Sequence, residues 1–333
     1  ENAGWELPAG KLLELTIEEL EQTVSSSQRR LYETIHPVGA TQVRQQEIRP
    51  ELFLSPQVFK PSEMAAKKTA RTVLVTGATG FLGRALSLEL LERGARLVCL
   101  VRARNDKEAC SRVERSFLDG KARQAFLRFS ALGRVEVVAG DFHSPRFGLT
   151  ATLYARLTQE VEAILHAGAL VNHALAYSDL FESNVEGTAT LLQFALEGKA
   201  KAFHFVSTAA LSRKDFGEEP ASRLWPQREI VGDGYAHGYV TSKWAAEVLL
   251  EKFHQQTGLP ISISRSCLLL PHRSYPLELN HQDMFQTLLR GILESSSAPY
   301  TFYRDDAEHR HFDGLPVDFV AGFLAALCLQ GPS

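Results

Sequence analysis

The sequence predicts an α/β protein: a doubly wound parallel sheet followed by a smaller, C-terminally incomplete second subdomain. Three observations carry that expectation. From Arg71 onward, short β-branched runs alternate with stretches of helical periodicity, the rhythm of a parallel sheet covered on both faces. The first run, RTVLVTG, passes straight into a glycine-spaced turn and then a helix. No internal repeat breaks the alternation, and right-handed crossovers then wind the chain to either side of a switch point.

The elements follow in order. RTVLVTG is the first strand and FLGRALSLELLERG the first helix; RLVCLVR is the second strand. DKEACSRVERSFLDGKARQAFLRF is read as helical, RVEVVAGD as the third strand and LTATLYARLTQE as a helix. VEAILHAGA, AKAFHFVSTAA and LPISISR are the fourth, fifth and sixth strands. Helices in NVEGTATLLQFALEG and around YVTSKWAAEVLLEKFHQQTG separate them. Residues 1–70 differ in character. KLLELTIEELEQTV has helical spacing with Thr16 and Glu19 in a capping-box pattern, and a polar, proline-punctuated stretch follows. Lys67 and Lys68 are solvated linker charges in this reading.

Composition narrows the function. Of 333 residues, 44% are apolar and 23% charged, ordinary for a globular protein, and the net charge of −3 argues against a nucleic-acid binder. VAGFLAALCL is too short to span a bilayer. Cys99, Cys110, Cys267 and Cys328 lack metal or disulfide-framework spacing, which points to a reducing cytoplasm. No metal site is expected: His309 and His311 in the HRH run lack further ligands, and His173 and His204 read as packing residues.

TGATGFLG sits between strand and helix. Gly77 permits the tight turn, Gly80 a close approach by a diphosphate, and Gly83 tight packing of helix on strand. The backbone from Thr79 through Phe81 and Leu82 then faces an anion at the helix start. The second strand ends in Arg102 and Arg104 rather than a carboxylate. A guanidinium fork suits a 2′-phosphate, so these residues, with Arg112 on the next helix, favour NADP(H) over NAD(H). Asp141 and Phe142 follow the third strand at the adenine side. His166, Ala167, Gly168 and Ala169 follow the fourth strand and are expected to run along the cofactor. Tyr239 and Lys243 lie four apart on one helical face, where the lysine is expected to lower the tyrosine pKa and bind the nicotinamide ribose. Thr208 is placed to donate to a substrate oxygen, Ser207 to line the cofactor, and Asn184 to start a helix that shapes the site.

These motifs together resemble an extended short-chain dehydrogenase/reductase of Rossmann type. CLVRAR, GDF, AGALVNH, NVEGT, FVST, HGYVTSKWAAEVLL, LNHQDMF and FYRDDAEHRHFDGLPVDFVA make the resemblance closer. They are similar to the thioester reductase domain of carboxylic acid reductases and of nonribosomal peptide or polyketide synthetases, over roughly residues 30–330. The resemblance implies a tail of an upstream carrier domain at 1–30 and a linker at 31–70. It also implies an NADP-binding domain at 71–266, with a lid insertion at about 212–235, and a partial substrate-binding subdomain at 267–333. No GGDS-type phosphopantetheine serine is present, so the carrier is expected upstream, with an adenylation domain before it.

The implied function is NADPH-dependent release of an acyl thioester, held on a phosphopantetheine arm, as an aldehyde. Thr208, Tyr239 and Lys243 are the implied catalytic residues. Two departures stand out. Cys267 occupies a position where carboxylic acid reductases commonly have Asp, and the family continues past Ser333. Asp283 sits either at the nicotinamide mouth or as a helix cap. The alternatives are a four-electron reductase yielding an alcohol, a nucleotide-sugar epimerase or dehydratase, a non-catalytic dinucleotide sensor, and a docking module.

Overall fold

Six of the expected strands assemble side by side. The computed structural model describes residues 31–36, 39–54, 70–212, 227–231, 236–280, 283–300 and 314–330. The capping box at Thr16, Lys67 and Lys68, the HRH run and most of the lid insertion lie outside those residues. Strands β1 (Thr72–Thr76), β2 (Arg96–Val101), β3 (Val135–Ala139), β4 (Ala163–His166), β5 (Ala202–Thr208) and β6 (Ile261–Ser266) are arranged in the order 3-2-1-4-5-6. Every neighbouring pair is parallel.

Alternation along the strands builds two cores. Leu74, Val98, Ile164 and Phe203 point to one face. There they meet helices α4 (Ala151–Glu160), α5 (Tyr177–Phe181), α6 (Gly187–Leu196) and α7 (His237–Thr257). Val73, Val75, Cys99 and Leu165 point to the other face. It is covered by α1 (Phe81–Glu92), α2 (Asp106–Ser116), α3 (Gly120–Ala131) and α9 (Val317–Gln330). The chain crosses over to opposite faces after β1 and β4, so a crevice opens outside their carboxyl ends, the place where such sheets bind ligands.

Two elements differ from the sequence expectation. The helix expected over DKEACSRVERSFLDGKARQAFLRF is two helices, α2 and α3, broken at Phe117–Asp119. The Asp119 carboxylate caps α3 by accepting from Lys121 N at 2.8 Å. Buried Glu278 supplies the remaining acceptor, taking Leu118 N at 2.7 Å and Asp119 N at 2.9 Å. Its other oxygen pairs with Arg84 Nε at 2.5 Å. Arg84 also donates to the carbonyls of Thr79 (3.3 Å) and Leu279 (3.2 Å), tying the C-terminal subdomain to the glycine turn. That subdomain contributes a parallel pair, Leu268–Leu270 with Gly314–Pro316, and helix α8 (Met284–Ser295).

The second difference is the expected linker. Over residues 31–36 and 39–54 it is part of the main core: Ile35, Val43, Ile48 and Leu54 pack against α6 and α7 residues. Gln42–Arg44 pairs antiparallel with Gln227–Glu229, just before α7. Lys252 on α7 donates to the carbonyls of Gln45 and Ile48. His36 Nε2 meets the Tyr177 hydroxyl at 3.1 Å, inside a cluster of Tyr32, Tyr177 and Phe181 rings. Polarity and prolines suggested a linker lying on the domain surface because the apolar residues here are spaced too irregularly to announce a packed element. Val43→Asp, which places an unpaired charge at a fully buried position, is expected to cost about 3 kcal/mol in urea unfolding.

Candidate active site

The glycine turn is shaped by backbone approaching backbone. Gly77 has φ +75°, and a Cβ there would lie 2.7 Å from Gly168 N. A Cβ on Gly83 would overlap the Gly77 carbonyl oxygen, so α1 can start only with glycine at its third position. Gly80 is the N-cap and no side chain caps the helix, which leaves the first-turn amides of Phe81 and Leu82 facing the crevice. The Phe81 side chain itself is buried against α1.

A buried hydrogen-bond chain runs from this turn to the helix bearing Tyr239. Gly168 N donates to Thr76 Oγ1 at 3.1 Å, and Thr76 Oγ1 meets His166 Nδ1 at 2.7 Å. His166 Nε2 meets Thr188 Oγ1 at 3.2 Å, and Thr188 Oγ1 donates to the Asn184 carbonyl at 2.7 Å. Because Thr188 spends its proton on that carbonyl, Nε2 of His166 carries the ring proton and Nδ1 accepts from Thr76. Burial, with Lys243 and His143 adding like charge, holds His166 neutral, far below its ordinary pKa.

Asn184 then bridges two elements. Its Oδ1 accepts from Leu170 N (2.8 Å), and its Nδ2 donates to the Leu170 carbonyl (3.1 Å) and to Ser242 Oγ (2.9 Å). Ser242 Oγ donates in turn to the Tyr239 carbonyl at 2.7 Å. Asn184 was expected at a helix start. It lies instead within a π-helical turn, Glu182–Glu186, in the middle of a continuous helical run from α5 to α6. The wider turn changes the angular register of the run, a device common at functional sites.

Lys243 is 3% exposed; its Nζ donates to the Val206 carbonyl at 2.8 Å and stands 4.2 Å over the Phe205 ring. Burial lowers its ammonium to about 7, while Glu247 pulls it back up. The Tyr239 pKa is raised rather than lowered as the Lys243 spacing led us to expect: burial pushes the phenol up to about 12 and outweighs the lysine charge. Tyr239 is therefore protonated at neutral pH, a proton donor at rest. Thr208 closes β5; its Oγ1 accepts from Ala210 N at 3.3 Å, which leaves the hydroxyl proton to point elsewhere. Ser207 Oγ is buried beside this site without a hydrogen-bond partner among the described residues. An orphaned hydroxyl, an uncapped helix start and a glycine cradle at the switch point together fit a dinucleotide.

At the other end, Arg102 is exposed at the close of β2, and the Arg112 guanidinium donates to its carbonyl. Arg104 pairs instead with Glu108 at 2.8 Å on the surface. Asp141 binds His143 Nδ1 at 2.6 Å. Burial would raise its carboxyl, but the His143 hydrogen bonds and the Arg102 charge hold it below its ordinary value. The Phe142 ring turns inward, 5.4 Å from His166 and against Gly187, where a Cβ would meet it at 2.6 Å. His204 bonds Ser262 Oγ at 2.6 Å, and the His173 ring lies 6.1 Å from Tyr239. Cys267 Sγ contacts the Leu268 carbonyl at 3.6 Å. Asp283 caps α8 through Gln286 N at 2.8 Å.

Comparison with known proteins gives the family of the chain. Residues 75–324 match the NAD-binding family described as male sterility protein. The chain belongs to that family. It is 38% identical over 340 residues to a carboxylic acid reductase of Mycobacterium tuberculosis, covering 98% of this chain and 29% of that protein. It is 43% identical over 270 residues to an isonitrile lipopeptide synthase of the same organism, covering 77% of this chain and 11% of that protein. Among solved structures, the reductase domain of a nonribosomal peptide synthetase from Mycobacterium tuberculosis superimposes with a TM-score of 0.75. The two are 36% identical, with 86% of this chain and 70% of that one covered. A UDP-glucose-4-epimerase from Stenotrophomonas maltophila, 20% identical with a TM-score of 0.55, shares the fold. This member of the male sterility family thus spans less than a third of the curated relatives it matches first. Among its described residues no helix is long and apolar enough to cross a membrane.

Sequence reasoning missed Thr188, Glu247 and Arg265. Thr188 stands inside NVEGT, and Glu247 follows Lys243 by one helical turn, so both carried a spacing signal; Arg265 carried none. Thr188→Val, which keeps the shape and removes the hydroxyl, leaves the His166 Nε2–H without its acceptor. It is expected to cost about 2 kcal/mol in urea unfolding and to reduce turnover.

Proposed function

We propose that this chain is an NADPH-dependent reductase that releases a carrier-bound acyl thioester as an aldehyde. The observation that carries the reading is the buried chain of hydrogen bonds joining the glycine turn to the Tyr239 helix. It gives one dinucleotide a diphosphate seat and a proton donor at opposite ends of the same crevice. The similarity to carboxylic acid reductases and to reductase domains of peptide synthetases supports the reaction class.

The amides of Phe81 and Leu82 would hold the diphosphate, and Arg102 with Arg112 the 2′-phosphate; Arg104, paired with Glu108, stands by. Ala167, Gly168 and Ala169 would line the nicotinamide half, with Ser207 offering its orphaned hydroxyl. Bound there, the reduced dinucleotide supplies a hydride. Thr208 and Tyr239 donate hydrogen bonds to the oxygen of the thioester carbonyl, strongest once that oxygen carries charge. Tyr239, protonated at neutral pH, gives up its proton to that oxygen, and Lys243 steadies the phenolate left behind. Hydride at the carbonyl carbon and the proton on oxygen would make a hemithioacetal; its carbon–sulfur bond then breaks as the hydroxyl proton passes to sulfur, giving an aldehyde and the carrier thiol. The carrier domain and the adenylation domain that would load it belong to this proposal, as does a cytoplasmic setting.

The test is incubation with NADPH and an acyl pantetheine thioester, with the aldehyde trapped as a hydrazone. One NADPH oxidised per aldehyde supports the reading; two per alcohol makes the chain a four-electron reductase, and none rejects it. Tyr239→Phe is expected to lower aldehyde formation by at least 100-fold, on the order of a lost general acid, with NADPH affinity within about twofold. Arg102→Ala is expected to weaken NADPH about tenfold or more, and NADH hardly at all, by fluorescence titration.

A further inference from the structure

Behind Tyr239 lies a buried row of alternating charge. Lys243 and Glu247 are one turn apart on α7 and are 3% and 1% exposed. Arg265 reaches Glu247 from β6: Nη2 lies 2.8 Å from Oε2, and Nε lies 3.2 Å from Oε2 and 3.3 Å from Oε1. The strand register sets Arg265 beside Ser207, so the fork enters at the level of the active site. A carboxylate at this depth needs such a partner, and a buried ammonium needs nearby negative charge.

The groups around Lys243 leave Glu247 as its source of negative charge among the described residues. Its own helix offers Tyr239, a neutral phenol, and Glu247. β4 offers His166, which is neutral. β5 offers the Val206 carbonyl and the Phe205 ring. β6 offers Arg265, a second cation, paired with Glu247. His173 lies farther out, by the Tyr239 ring.

We propose that Glu247, clamped by Arg265, is a positioning residue that keeps Lys243 a cation and so sets the upper pH limit of the Tyr239 proton transfer. The inference rests on the reductase reading above. Arg265 pairs with Glu247 in the core and holds its carboxylate on the face shared with Lys243. The sign follows from the charges. The cation is the active form, so turnover falls as pH rises past the Lys243 pKa, and loss of Glu247 moves that fall to lower pH.

The experiment is the pH profile of kcat for the full chain, with saturating NADPH and an acyl pantetheine thioester. Glu247→Gln is expected to move the alkaline limb about one pH unit toward acid. The rate then drops about tenfold at pH 8 and less than twofold at pH 6. Glu247→Asp is expected to return the limb most of the way. A uniformly scaled profile with an unmoved limb would overturn the proposal, leaving the pair a tie between α7 and β6. Should Glu247→Gln not fold, the double variant Glu247→Gln/Arg265→Met leaves no unpaired charge, and a smaller shift in the same direction is expected. NMR titration of 13Cε-labelled lysine, with the Lys243 signal assigned by its loss in Lys243→Met, reads the same shift without turnover. Wild-type protein with no NADPH-dependent turnover but a Glu247-dependent Lys243 titration would reject the reductase reading and retain the charge coupling; an unchanged titration would reject the coupling itself.

Discussion

The site depends on one neutral histidine ring. His166 ends β4 and touches the turn that follows β1 through Thr76, and the α5–α6 run through Thr188. Both ring nitrogens are committed, one as acceptor and one as donor, so the ring has a single orientation and a single tautomer. Protonation would give it two donors and break its bond from Thr76. Burial forbids that charge, and the nearby Lys243 ammonium forbids it further. Everything beyond the ring inherits this order: Asn184 is fixed by Thr188, Ser242 by Asn184, and the Tyr239 backbone by Ser242.

The same economy of space governs the surrounding backbone. Gly83 against Gly77, Gly168 against Thr76, Gly187 against Phe142 and Gly238 against Leu175 are places where one more carbon would not fit. Helices α1, α6 and α7 therefore stand at fixed heights over the sheet, and their N-terminal ends converge on the crevice. Charge is handled locally within this frame. Arg84 and Glu278 join the turn to the C-terminal subdomain, Lys243, Glu247 and Arg265 lie behind Tyr239, and exposed arginines gather at the close of β2. The buried pairs do more for position than for stability, since the cost of removing charge from water offsets much of their attraction.

Much of this was legible in the sequence, for identifiable reasons. β-branched runs of strand length, each followed by a helical period, leave few topologies once crossovers must be right-handed. The glycine turn and the Tyr239–Lys243 spacing are local patterns, so the turn and the helical face could be read without coordinates. What stayed hidden depends on contacts distant in sequence. The described residues between 31 and 54 are polar enough to look like a surface linker, and contacts distant in sequence, such as Gln42–Arg44 with Gln227–Glu229 and Lys252 with Gln45 and Ile48, make them part of the core. The π-helical turn at Asn184 hides inside a run whose propensities are ordinary for a helix. The Tyr239 pKa was read with the wrong sign, because charge proximity along a helix was visible and burial was not. Asp283 showed both of its readings in the sequence, and the structure supplies the cap.

The central claim is that the glycine turn and Tyr239 serve the two ends of one dinucleotide. A crystal structure of the chain with NADPH tests it most directly. The account requires the diphosphate on the amides of Phe81 and Leu82, the 2′-phosphate at Arg102, and the nicotinamide beside the Tyr239 hydroxyl. A dinucleotide bound elsewhere, or seated in the turn with its nicotinamide directed away from Tyr239, would contradict it.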